Sequence, residues 1–140
     1  MEFLTDRFLI DRSRIEGAVL VTGAGGCIGA WTTAILTRSG IETVAFDLRE
    51  DRTRPALVMG EEAAQALTWE TGDISDGARL DDICDRHGIR AIIHLAGLQV
   101  PFCKADPALG ARVNVEGTIN VLETARRINA KRLTYASSSA

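Results

Sequence analysis

Residues 21–30, VTGAGGCIGA, constrain this chain more than any other stretch of it. They follow a short β-branched run, AVLVT, and open a run with helical spacing, so they form a strand-to-helix turn. Gly23, Gly26 and Gly29 stand three residues apart. A turn this tight needs positive φ or the absence of a Cβ. The helix that follows aims unpaired N–H groups and partial positive charge at whatever lies on the turn. Glycine turns are common, and a triplet alone says little. Its place between a strand and a helix makes an anion-binding turn the better reading, with a phosphate-bearing nucleotide as the expected ligand.

Beyond the turn, apolar runs alternate with helical patterns, as βα units around a parallel sheet require. Strands are expected at 18–22, 42–47, 67–70, 90–95 and 131–136. Helices are expected at 26–39, ended by Gly40, at 61–66, at 78–87 with Leu80, Ile83 and Cys84 inward, and at 108–128 with Val113, Gly117, Val121 and Leu122 inward. The charged segment 49–59 with Pro55, and 98–107 with Pro101 and Pro107, read as loops. Right-handed crossovers between five such strands give the order 3-2-1-4-5. That is the N-terminal half of a Rossmann-type, doubly wound α/β fold with three layers, α/β/α. Asp47 ends the second strand, 18 residues after Gly29, near the roughly 20-residue distance at which a carboxylate meets a ribose hydroxyl. A carboxylate there repels a 2′-phosphate, which favours NAD over NADP; Arg49 and Arg52 soften that preference.

The net charge of −3 argues against a nucleic-acid surface, and no apolar run reaches the length of a membrane span. Cys27, Cys84 and Cys103 are scattered and His87 and His94 join no cluster, so no metal site is expected and the chain reads as a reduced, cytoplasmic protein. One domain is expected over 18–140, preceded by an extension, 1–17, that is too charged for a secretory signal.

TGAGGCIG is similar to the T-G-x-x-G-x-x-G loop of the extended short-chain dehydrogenase/reductase superfamily. GDISD at 72–76, HLAG at 94–97, NVEGT at 114–118 and YASSSA at 135–140 resemble, in order, further motifs of its NAD-dependent epimerase/dehydratase branch. The resemblance implies that Gly23, Gly26, Cys27, Ile28 and Gly29 line the diphosphate, and Leu48 is expected to bind the cofactor beside Asp47. It implies that Asp73 bonds the adenine amine and Ile74 packs on the ring. Leu95, Ala96, Gly97, Gln99, Val113 and Asn114 would line the ribose and nicotinamide side, and Ser139 would be the catalytic serine. His94 is expected to pack beneath the cofactor segment without a catalytic role.

The family's general base is a tyrosine in Y-x-x-x-K, downstream of the serine. The only tyrosine here, Tyr135, is followed four residues later by Ser139. Oxidising an alcohol needs a group that takes the hydroxyl proton, which Ser139 does not do unaided. The expectation is therefore the cofactor-binding part of a longer oxidoreductase acting on a nucleotide sugar or similar alcohol, without turnover by these 140 residues alone. In this family the long helix commonly joins a dimer bundle, so a homodimer is expected. The alternative is a stand-alone nucleotide-binding or scaffolding module.

Overall fold

The computed structural model describes residues 8–137, so Ser139 lies outside the described residues. Five parallel strands form one sheet in the order β3-β2-β1-β4-β5, with β1 at Ala18–Thr22, β2 at Thr43–Asp47, β3 at Thr68–Thr71, β4 at Ile89–His94 and β5 at Arg132–Tyr135. The helices are α1 (Cys27–Arg38), α2 (Thr53–Met59), α3 (Glu61–Ala66), α4 (Gly77–Arg86), α5 (Val100–Ala105), α6 (Pro107–Ala111) and α7 (Gly117–Arg127). This is the expected Rossmann-type half.

β1 is buried along its whole length because it is covered on both faces. Side chains alternate across it. Ala18 and Leu20 join Phe46, Ile83, Ile92 and Val121 on the side of α4 and α7, while Val19 and Val21 join Leu36 and Ile41 on the side of α1. Two layers of helices thus enclose the sheet.

The two segments expected to be loops contain helices instead. Pro55 is the third residue of α2, Pro101 the second of α5 and Pro107 the first of α6. First-turn N–H groups lack intrahelical acceptors, so proline costs little there, and these prolines start helices rather than prevent them. Between α6 and α7 the long helix runs through a π turn, Arg112–Glu116. Val121 and Gly117 are buried as expected, but Leu122 is 47% exposed, because α7 turns only Gly117, Val121, Thr124 and Ala125 to the core. Ahead of β1, the Ile10 N–H donates to Ser39 Oγ at 2.9 Å, which lays the N-terminal segment against the end of α1.

Candidate functional site

The register brings the carboxyl ends of the strands into one row. Thr22 pairs with Phe46 and His94, Asp47 with Thr71, and His94 with Tyr135. The connections from β1 and from β4 lead to opposite edges of the sheet, and between these two strands doubly wound sheets leave a crevice. A cleft of about 320 Å³ opens there. Gly23 and Gly26 reach it from the glycine turn, Asp47 and Leu48 from the end of β2, and Asp73 and Ile74 from the turn after β3. Leu95, Ala96 and Gly97 reach it from the end of β4, and Val113 from the π turn.

Each glycine of the turn has its own reason. Gly23 has φ +72, and a Cβ on it would lie 2.7 Å from Ala96 N. A Cβ on Gly29 would lie 2.1 Å from Gly23 O. Gly26 caps α1 without a side-chain hydrogen bond, at an ordinary φ of −72, and a Cβ there would meet only Gly23 O, at 3.1 Å. Gly23 and Gly29 therefore make the turn possible, whereas Gly26 keeps its outer surface bare. The first turn of α1 presents N–H groups that have no intrahelical acceptor.

Asp47 braces this turn. Its Oδ2 accepts from Gly25 N–H at 2.9 Å and its Oδ1 from Leu48 N–H at 2.8 Å. A carboxylate has further lone-pair sites, so Asp47 can hold the turn and still face the cleft. The Asp73 carboxylate accepts from the Ser75 N–H at 2.9 Å and the Ser75 hydroxyl at 2.7 Å, which hold its carboxyl below the usual range. Ile74 is 5% exposed and packs against α7, where a Cβ on Gly117 would lie 2.6 Å from Ile74 Cγ2. It gives the cleft only an edge.

Other named residues lie apart from the cleft lining. Cys27 and Ile28 are exposed on the first turn of α1, Gly29 is buried beneath the turn, and Gln99 is exposed as the N-cap of α5. Asn114 lines an adjoining hollow with Thr118 and Tyr135. Its carboxamide accepts from Leu98 N–H at 2.7 Å and donates to Leu98 O at 3.0 Å, so it pins the segment that follows Gly97.

Arg52 does not approach Asp47. It donates to the carbonyls of Ala64 and Leu67, pairs with Glu50 and lies over the Trp69 ring at 5.3 Å. The cations beside Asp47 are Arg49 and Arg54, which share a shallow hollow with it, and Arg54 donates to Gly25 O at 3.0 Å. Sequence reasoning misses Arg54, because the charged segment around Pro55 reads as a loop. It also misses Thr22, Thr118 and Asn120. Asn120 donates to Ser75 O at 2.8 Å and holds the turn after β3. The signal for Thr22 was present, as the threonine that opens TGAGGCIG. His94 is 3% exposed, between Thr22 Oγ1 at 2.7 Å and Thr118 Oγ1 at 3.2 Å, and burial lowers its pKa below 6.5.

A family model described as "NAD dependent epimerase/dehydratase family" matches residues 19–140. The chain is 34% identical over 129 residues to UDP-glucose 4-epimerase of Mus musculus, covering 86% of this chain and 37% of that protein. It is 35% identical over 123 residues to a UDP-glucose 4-epimerase of Klebsiella pneumoniae, covering 86% and 88%. Among solved structures, UDP-glucose-4-epimerase from Stenotrophomonas maltophila with bound NAD and formylated UDP-arabinopyranose superposes with a TM-score of 0.75 at 26% identity, covering 89% of this chain and 38% of that one. L-threonine dehydrogenase from Clostridium difficile gives 0.72 at 28% identity, covering 86% and 36%. Apart from the Klebsiella sequence, these relatives are matched over little more than a third of their length.

Proposed function

The chain belongs to the NAD dependent epimerase/dehydratase family, and from that premise we propose that residues 18–140 form the NAD-binding part of an oxidoreductase acting on a nucleotide sugar or similar alcohol. One observation carries the reading: the helix N-terminus capped by Gly26, which has no side chain, and the Asp47 carboxylate meet in a single cleft at the carboxyl ends of the strands.

The residues fit that cofactor. The bare surface at Gly26 and the first-turn N–H groups of α1 suit a diphosphate. Asp47, with lone pairs to spare, suits a ribose diol and repels a 2′-phosphate. Asp73 suits an amine, and Leu95 to Gly97 with Val113 form an apolar wall for the nicotinamide side. Cys27, Ile28, Leu48, Gln99 and Asn114 complete the proposed contacts from the rims. NAD, when bound, supplies reversible two-electron oxidation of an alcohol carbon. The chain's own share is to bind and orient, and Ser139 is proposed to position the substrate hydroxyl. These residues carry no Y-x-x-x-K pair, and no turnover is proposed for them alone.

We further propose a homodimer through the outer face of α7, in the cytoplasm, where Cys27, Cys84 and Cys103 stay as free thiols. The L-threonine dehydrogenase likeness favours one second reading, in which the substrate is a small alcohol oxidised without epimerisation.

The test is calorimetric titration of the 140-residue chain with NAD and NADP, expected to show weak NAD binding and weaker NADP binding; equal or tighter NADP binding removes the Asp47 assignment. In a longer protein carrying the Y-x-x-x-K segment, Ser139→Ala is expected to lower turnover roughly 10²-fold.

A further inference from the structure

Thr22 ends β1 with no exposed surface, and its hydroxyl has three neighbours. Leu95 N–H and Ala96 N–H lie 3.1 and 3.2 Å from Oγ1, and His94 Nδ1 lies 2.7 Å away. A hydroxyl carries two lone pairs and one proton. The two backbone groups only donate, so they occupy the lone pairs. The buried hydroxyl proton must then go to Nδ1, the one neighbour that can accept it. The neutral ring therefore carries its proton on Nε2, which donates to Thr118 Oγ1 at 3.2 Å, and the Thr118 hydroxyl donates to Asn114 O at 2.8 Å. The hydrogen bonds run in one direction, from β1 through the imidazole to the long helix.

We propose that His94 is a positioning residue whose unprotonated Nδ1 keeps both Thr22 lone pairs free for the backbone of Leu95 and Ala96, and that proton uptake at Nδ1 releases this wall of the cleft. With Nδ1 protonated, three donors face two lone pairs, and the Thr22 proton has lost its acceptor. Leu95 N–H has a second acceptor in Thr22 O at 3.2 Å. Ala96 N–H has no other backbone acceptor among the described residues, so it opens first. Among the described groups that pack on the ring, Thr22 on β1 and Thr118 on α7 do not titrate. Tyr135 on β5 is the titratable neighbour, its ring 6.4 Å away. Burial alone lowers the His94 pKa, so the neutral ring persists at pH 7 and release comes only in acid. The consequence for NAD rests on the proposed cofactor reading; the clamp itself does not.

Imidazole ¹⁵N spectra of the 140-residue chain at pH 7 are expected to show a pyridine-type Nδ1 and a pyrrole-type Nε2. The Ala96 amide protection factor is expected to fall about tenfold or more as His94 titrates. His94→Asn supplies a short, non-titrating acceptor and should keep Ala96 protected independently of pH, whereas His94→Phe should lose that protection. A pyrrole-type Nδ1, or Ala96 protection unmoved while His94 titrates, overturns the clamp, and neither measurement needs a variant that folds. Both are read without cofactor. A separate NAD titration that shows no binding while the exchange results hold would remove the cofactor reading and leave the clamp standing.

Discussion

Gly29→Ala and Gly26→Ala add the same methyl group to the same turn and should fail in opposite ways. At Gly29 the added carbon would sit 2.1 Å from Gly23 O, 2.7 Å from Ala24 Cα and 2.9 Å from Gly23 C. Ordinary contact begins near 3.4 Å, so the overlap with the carbonyl is about 1.3 Å. All three neighbours are backbone, so no side chain can rotate away, and the turn or α1 must move by about an ångström. Overpacking of this kind costs roughly 3 kcal/mol or more, at the upper end of the usual range. For a domain of this size that corresponds to a Tm lower by roughly 10 °C. At Gly26 the carbon would meet one atom at 3.1 Å, from an allowed φ, and a shift of a few tenths of an ångström relieves it. Its stability cost is the small preference of glycine over alanine at an N-cap, about 1 kcal/mol or less. The methyl would nonetheless project from the surface against which the diphosphate is proposed to lie, so NAD binding should weaken roughly tenfold to hundredfold, or about 1.4 to 2.8 kcal/mol. Thermal unfolding and calorimetric titration of both variants provide the comparison. A Gly29→Ala protein that melts with the parent, or a Gly26→Ala protein that binds NAD as tightly as the parent, would refute this division of labour.

Three further outcomes are expected. Arg86, chiefly, with His87 and Arg79 holds the Glu70 carboxyl down at about 2 from an ordinary 4.5. Its stabilising effect is therefore complete above pH 4.5 and is lost as pH falls towards 2, and Glu70→Gln should flatten acid unfolding across that window; an unchanged slope counts against the assignment. Burial pushes the Cys84 thiol up to about 12, whereas Cys27 is exposed, so iodoacetamide followed by mass spectrometry should label Cys27 in the native chain and Cys84 only after denaturation. Val115, Ile119 and Leu122 are 58%, 53% and 47% exposed along one stripe of the long helix, and Ile119→Arg should shift sedimentation from dimer to monomer; a parent that is already monomeric at high concentration removes the dimer proposal.

Much of this fold is local chemistry and was therefore legible in the chain. The glycines of VTGAGGCIGA state where a backbone must turn without a Cβ, and the alternation of apolar runs with helical spacing fixed five strands and the order in which helices join them. Gly40 ends α1 with φ +69, as a glycine after a helix is expected to do. Proline misled, because its cost depends on its position within a helix, and Pro55, Pro101 and Pro107 all occupy first turns. Leu122 misled because the helical period alone does not say where the buried stripe ends.

What only the tertiary structure decided involves partners far apart in sequence. Arg52 and Arg54 differ by two positions, yet one turns to the carbonyls before β3 and the other to the glycine turn, since Arg52 is the N-cap before α2 and Arg54 lies in its first turn. The sequence alone reads His94 as packing. Its chemistry comes from Thr22, 72 residues away, and from Thr118, 24 residues away. The sequence by itself determined the turn and the strands, because backbone sterics and side-chain period act between near neighbours, and the right-handed rule for crossovers then implied their order. The direction of the Thr22 hydroxyl, and with it the protonated nitrogen of His94, was decided by the pairing of β1 with β4, which places two N–H donors and one ring nitrogen around a single oxygen.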